Sequence, residues 1–213
     1  MAITAENARL LAEMLLKIEA VKLRPNQPFT WASGWKSPIY CDNRLSLSYP
    51  EIRAFVADTM ASIIKTQFAE AEIVAGVATA GIPQAALVAE RLGLPLIYIR
   101  SSAKEHGMGN LIEGKAQPGK KVVVIEDLIS TGGSSLKACK AIQDAEMQVC
   151  GMVAAVTYGF GVAESAFKTA QVKLSTITDY SAIIQAAIST GYVSEEDLQT
   201  LQDWRNNPAE WGM

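Results

Sequence analysis

Two acids and then a turn of two hydroxyls and two glycines crowd into one short stretch of the chain, Val122-Val-Val-Ile-Glu126-Asp127-Leu128-Ile129-Ser130-Thr131-Gly132-Gly133-Ser134-Ser135. Its first apolar residues read as a strand buried on both faces, and Ser134 as the start of a helix. In open α/β sheets, ligands gather at the carboxyl ends of the strands. A glycine-containing turn presents backbone N–H groups there, and the positive end of the following helix makes the junction an anion site. Carboxylates beside such a site suit sugar hydroxyls or a divalent ion, not the anion itself. The ligand implied carries a phosphate and a pair of hydroxyls, as a phosphorylated ribose does. Taken singly, the acids are helix caps and the glycines a plain turn. Found together in one strand–turn–helix, they favour a ligand site.

Other chemistry is excluded or left open by its spacing. Gly119-Lys120-Lys121 lacks the hydroxyl of a nucleotide-binding P-loop, and Gly107-x-Gly109-x-x-Ile112 lacks a third glycine and a following helix. One histidine, His106, and three scattered cysteines, Cys41, Cys139 and Cys150, exclude zinc-protease and zinc-finger patterns. Residues 101–119 carry Lys104, His106 and four glycines between two strand patterns, with no clean period of their own. A segment of this kind is either a hairpin projecting from the sheet or a closing lid, and the lid is the reading preferred. Gly76–Pro83 forms a second strand–turn–helix junction, either a backbone site for pyrophosphate or a tight connection.

These residues need a frame, and the periodicity predicts one. Continuous Val/Ile-rich runs at Ile73–Val77, Leu96–Ile99, Val122–Ile125, Val149–Val156 and Val172–Ile177 alternate with helical patterns near 83–92, 134–145 and 161–169. That alternation predicts an α/β fold whose parallel sheet is flanked by crossover helices. A helix is expected over 6–18 with Thr4 as cap, and another after a capping box at Ser48–Glu51. Two more are expected near 180–189 and 195–205, the latter capped by Ser194. Residues 24–48 read as irregular, with Trp31 and Trp35 as core packing or interface and Lys36 a weak candidate for substrate contact. Cys139 and Cys150 read as buried bystanders.

The 213 residues suffice for one domain that buries about 70% of its unfolded surface. With 49% hydrophobic and 19% charged residues, the chain is neither disordered nor fibrous. A net charge of −3 offers no global basic footprint for nucleic acid. No apolar run approaches the ~20 residues of a membrane span, and three cysteines argue against an oxidising compartment. A cytoplasmic protein is expected, with neither nucleic acid nor membrane as partner.

Residues 122–135 resemble the phosphoribosyl-pyrophosphate (PRPP) signature of the type I phosphoribosyltransferases. Phe29-Thr-Trp-Ala-Ser-Gly-Trp-Lys-Ser-Pro38, Gly76-Val-Ala-Thr-Ala-Gly-Ile-Pro83 and the Arg100–Gly114 segment, with its Lys104-Glu-His106-Gly core, are similar to the orotate-using branch of that family. The resemblance implies the family's fold: a central mostly parallel sheet, a small N-terminal helical hood and a long flexible loop. It implies one domain, with the hood over about 1–70, a PRPP-binding core over about 71–178 and C-terminal helices over about 179–213. It also implies magnesium-dependent transfer of ribose 5-phosphate from PRPP to orotate, in pyrimidine nucleotide synthesis.

In that picture Glu126 and Asp127 hold the ribose hydroxyls. Leu128 and Ile129 belong to the PRPP-binding stretch, the turn of Ser130, Thr131, Gly132, Gly133 and Ser134 cradles the 5′-phosphate, and Ser130 also touches orotate. Arg100, Lys104 and His106 meet the pyrophosphate, with Lys104 and His106 the catalytic pair. A homodimer is implied, the 101–119 loop reaching the neighbouring active site. Mg²⁺ is bound mainly by PRPP, pyrophosphate and water, without a dedicated protein ligand. The chain departs from other members at Ala32, Ala80 and Ser101, where lysine is common, and at Tyr158, where an arginine sometimes stands. A purine-specific transferase and a PRPP-sensing regulator are the alternatives. Retention of Lys104 and His106 with a negative net charge disfavours the regulator.

Overall fold

Val122, Val123, Val124 and Ile125 are each 0% exposed, and an apolar run with no wet face belongs inside a layered sheet. Each such side chain contributes about 1.5–3 kcal/mol on burial, which offsets the entropy of ordering the strand. The computed structural model describes residues 4–31, 33–102 and 111–212. Its elements begin with α1 (Ala5–Lys17), β1 (Val21–Leu23), β2 (Phe29–Thr30), β3 (Lys36–Ser37), β4 (Ile39–Cys41), a 3-10 helix (Asn43–Ser48) and α2 (Pro50–Gln67). The central part runs β5 (Ile73–Val77), α3 (Gly81–Leu92), β6 (Leu96–Ile99), β7 (Ile112–Glu113), β8 (Lys121–Ile129), α4 (Gly133–Asp144) and β9 (Gln148–Thr157). It closes with α5 (Gly161–Thr169), β10 (Leu174–Asp179), α6 (Tyr180–Ser189), a 3-10 turn (Glu195–Asp197) and α7 (Leu198–Asn206).

The six-stranded sheet has the order β10-β9-β8-β5-β6-β7. All its pairings are parallel except β6 with β7. One face packs on α1, α2, α3, α6 and α7, and the other on α4 and α5. From β5 the chain moves outward through β6 and β7, then returns to the opposite side of β5 as β8. The topology therefore reverses between β5 and β8, which is where open α/β sheets leave a crevice. The loops that follow these two strands carry the two strand–turn–helix junctions.

Several expected boundaries shift for physical reasons. The strand expected over 122–125 continues to Ile129, because Leu128 and Ile129 pair with Val156 and Thr157 of β9. Glu126 and Asp127 therefore lie within β8, not past its end. No capping box forms at Ser48, which instead closes the 3-10 helix. Tyr49 is the N-cap of α2, with Pro50 at the first helical position, where its missing N–H costs nothing. The strand expected over 172–177 lies at 174–179. The helix expected over 195–205 splits into a 3-10 turn and α7, and Ser194 forms a reciprocal capping box with Asp197.

The stretch 24–48 is more ordered than its composition implies. β1 pairs with β4 and β2 with β3, both antiparallel, as a hood of short hairpins. Two or three residues per strand give little stability alone, so side chains from elsewhere fix it. Trp204 of α7, 0% exposed, donates its indole N–H to the Lys36 carbonyl at 3.1 Å. Asn43 Nδ2 donates to the Asp127 carbonyl at 2.8 Å, tying the hood to β8. At the other edge β7 pairs antiparallel with β6. Residues 103–110 between those strands, with Lys104 and His106, lie outside the described residues.

Candidate active site

Close packing prepares the crevice. A Cβ on Gly81, the first residue of α3, would stand 2.6 Å from the Ile125 carbonyl, so only glycine lets α3 press against β8 one residue before the acids. In the loop leading to α3, the Ala78 N–H donates to the Ile99 carbonyl at 2.8 Å, and the Ala78–Thr79 bond is cis.

Glu126 is 6% exposed. Its Oε1 accepts from the Asp127 N–H at 3.0 Å and its Oε2 from Ser135 Oγ, in the first turn of α4, at 3.0 Å. Burial first, and then the neighbouring Asp127 carboxyl, pushes Glu126 up to about 8. Asp127 is half-buried and is also raised, by burial, against hydrogen bonds from Glu126 and the Leu128 N–H that favour its charged form. Two adjacent carboxyls at the end of one strand offer a pair of acceptors for the hydroxyls of a diol. Among the described residues, no three His, Cys, Asp or Glu side chains converge as a metal site.

Beyond β8, Thr131, Gly133 and Ser134 are exposed and Ser130 is half-buried. Gly132 is the N-cap of α4 with φ +82°, and no side chain caps the helix. The first-turn N–H groups of α4 thus face an open surface beside the acids. Leu128 is half-buried, whereas the Ile129 side chain is 0% exposed in the core. The Ile129 carbonyl accepts from the Tyr158 N–H at 3.0 Å. Arg100 follows β6, one strand beyond β5. Its N–H donates to the Leu111 carbonyl at 2.8 Å, and its Nη1 lies 3.6 Å from Glu113 Oε1.

A cavity of about 310 Å³ opens beside Leu128 and Ser130, with Thr30, Trp31, Tyr40 and Cys41 of the hood and Tyr158 after β9 as its other walls. Trp31 stacks on Tyr158 at 5.5 Å between ring centroids, and Trp204 meets both edge-on at 5.6 and 5.7 Å. Burial, with Asp127 and Asp42 nearby, pushes the Cys41 thiol up, so it stays neutral. Trp31 is therefore a cavity wall as well as packing. Tyr40, Cys41 and Asn43 carry no spacing signal toward this place; the fold alone brings them here. Cys139 is buried as expected, while Cys150 is half-buried.

A parallel sheet with an uncapped helix and an acidic pair at its switch point defines a class, and a model of the phosphoribosyl transferase domain matches residues 47–189. Over 203 residues the chain is 60% identical to the orotate phosphoribosyltransferase of Bacteroides thetaiotaomicron, covering 95% of this chain and 96% of the relative. Over 202 residues it is 54% identical to that of Listeria monocytogenes, covering 95% and 97%. The crystal structure of orotate phosphoribosyltransferase from Aeropyrum pernix matches with a TM-score of 0.72 at 29% identity, covering 86% of this chain and 99% of that one. The chain belongs to the orotate phosphoribosyltransferase family and has the type I phosphoribosyltransferase fold.

Proposed function

We propose that this protein transfers ribose 5-phosphate from PRPP to orotate, giving orotidine 5′-monophosphate and pyrophosphate in pyrimidine nucleotide synthesis. The observation that carries the proposal is the meeting, at one switch point, of an acidic pair, an uncapped helix N-terminus and an aromatic-walled cavity. The 60% identity to a relative of that name supports the choice of base.

In this reading Glu126 and Asp127 accept from the ribose hydroxyls. Leu128 and Ile129 lead into the PRPP site, the turn from Ser130 to Ser134 cradles the 5′-phosphate, chiefly through main-chain N–H groups, and Ser130 also contacts orotate. Arg100, Lys104 and His106 meet the pyrophosphate. The C1′–O bond to pyrophosphate breaks as the bond from C1′ to the orotate ring nitrogen forms. Negative charge grows on the leaving group, and fixed cations are most valuable there. Lys104 stabilises that charge, and His106 contacts the leaving oxygens. Orotate ionises its ring nitrogen without a strong base, so none is required of the protein. Magnesium held by the diphosphate oxygens and water would offset part of the leaving group's charge, with no dedicated ligand required of the protein.

The protein works as a homodimer, the 101–119 loop of one subunit closing the other's active site and excluding water from the activated sugar. The hood (about 1–70), core (about 71–178) and C-terminal helices (about 179–213) act as one domain. Among the described residues no helix is long and apolar enough to cross a membrane, and we assign the enzyme to the cytoplasm.

Orotate consumption in the presence of PRPP, with magnesium added and withheld, tests the proposal, with adenine, guanine and uracil run beside it. Magnesium-dependent turnover confined to orotate is expected. Turnover of a purine without orotate turnover contradicts it.

A further inference from the structure

A small cavity of about 10 Å³ lies under the end of β8, with Asp127 and Gln84 among its polar walls and Leu11, Leu15 and Val56 of α1 and α2 among its apolar ones. A space of that size holds about one water, which stays only where two or more polar groups bind it. The other polar walls are already engaged. Asn43 Nδ2 donates to the Asp127 carbonyl at 2.8 Å, Ser46 Oγ to the Asn43 carbonyl at 2.6 Å, and Arg44 Nε and Nη2 to Asp42 at 2.7 and 2.8 Å. Gln84 differs. It is 4% exposed, and among the described residues its Oε1 is buried without a hydrogen-bond partner. A buried acceptor left unpaired is costly, and a donor that reaches it recovers the loss.

Packing sets the aim of the side chain. Gln84 lies three residues after Gly81, on the face of α3 that presses against β8. Side chains on a helix lean toward its N-terminus, here toward the strand end that carries Asp127. The Gln84 oxygen and the Asp127 carboxylate are both acceptors, so neither satisfies the other. A water between them donates one hydrogen to each.

We infer that Gln84 is a positioning residue for PRPP binding: a water held in this cavity bridges its Oε1 to the Asp127 carboxylate and fixes that carboxylate toward the ribose hydroxyls. The inference rests on the ribose contact proposed above for Asp127. Gln84 itself touches no substrate. Through the water it ties the acid of β8 to α3, the helix that follows the second strand–turn–helix junction.

PRPP and pyrophosphate, each with magnesium, are titrated calorimetrically into wild-type protein, Gln84→Met, Asp127→Ala and the double variant. Methionine is unbranched and about as long, and it has no strong acceptor. The affinity of Gln84→Met for PRPP falls roughly 3–10-fold, the scale of one neutral hydrogen bond, while that for pyrophosphate, which carries no ribose, stays within about twofold. In the Asp127→Ala background the same substitution changes PRPP affinity by less than about twofold, because the group it acts through is gone. Unchanged PRPP affinity in Gln84→Met, equal losses for both ligands, or the same loss in both backgrounds overturns the inference, while weaker PRPP binding by Asp127→Ala leaves the ribose reading standing. Asp127→Ala that binds PRPP as wild type does overturns both. A crystal structure of the wild-type protein gives the second measurement, with a water expected within hydrogen-bonding distance of Gln84 Oε1 and the Asp127 carboxylate. A Gln84 amide bonded directly to Asp127, or that space without water, overturns the inference whatever the variants do.

Discussion

Ser135 Oγ donates to Glu126 Oε2 at 3.0 Å, so the first turn of α4 is fastened to the acid of β8 beside it. The helix whose N-terminus forms the anion site and the carboxyl that accepts hydroxyls are thereby held as one unit. A ligand bearing both a phosphate and a vicinal diol finds its two kinds of partner already in register, which lowers the ordering cost of binding.

The Glu126 carboxyl makes stability fall with pH. Its folded value is raised to about 8 from an ordinary 4.5, so between those values the folded protein holds a proton that the unfolded chain has released. The unfolding free energy then decreases as pH rises through that window and levels off above it. Glu126→Gln is neutral in both states and removes this loss. Thermal melting from pH 5 to pH 8.5 should show variant and wild type close together at the acid end, with the variant increasingly the more stable toward pH 8.5. Parallel melting curves across the range would contradict the assignment.

Asp127→Asn keeps the shape of the strand end and weakens the acceptor. Affinity for PRPP should fall about tenfold or more, on the scale of one lost hydrogen bond to a charged group. The melting temperature should change little by comparison. Unaltered affinity in a PRPP titration would remove Asp127 from the ribose contact.

The two glycines of the turn should respond differently. Gly132 has φ +82°, and a Cβ there would stand 2.9 Å from Phe167 Cε2; Gly133 has nothing within 4 Å. Gly132→Ala should cost about 1–2 kcal/mol, a melting decrease of roughly 2–8 °C in a chain of this length. Gly133→Ala should melt within about 1 °C of wild type. Equal melting decreases would show that backbone conformation is not what reserves position 132 for glycine.

Lys104→Ala tests the charge on the loop. A cation that acts as the leaving group departs contributes to kcat more than to ground-state binding. Turnover should fall by two or more orders of magnitude, while the PRPP KM moves by less than about tenfold. A variant with both parameters unchanged would show that this lysine takes no part in the chemistry.

The sheet was legible because its central strands β5, β8 and β9 are buried on both faces over most of their length, which makes each a largely apolar run with helical patterns between. The turn at 130–134 was legible because two acids, two hydroxyls and two glycines follow a single apolar run together. The end of β8 was hidden, since Glu126 and Asp127 look like a boundary and only the pairing with β9 carries the strand past them. The hood was hidden too: strands of two and three residues have no period, and Trp204, 168 positions from Lys36, helps to hold them. Distance in sequence also conceals the cavity, whose walls at Trp31 and Tyr158 become neighbours only after the sheet has formed.

A crystal structure of the protein soaked with PRPP and magnesium bears most directly on the central claim. The sugar's hydroxyls should lie within hydrogen-bonding distance of Glu126 and Asp127, and its 5′-phosphate against the main-chain N–H groups of 131–134. Density for PRPP away from the β8–α4 junction, with that junction empty, would contradict the account.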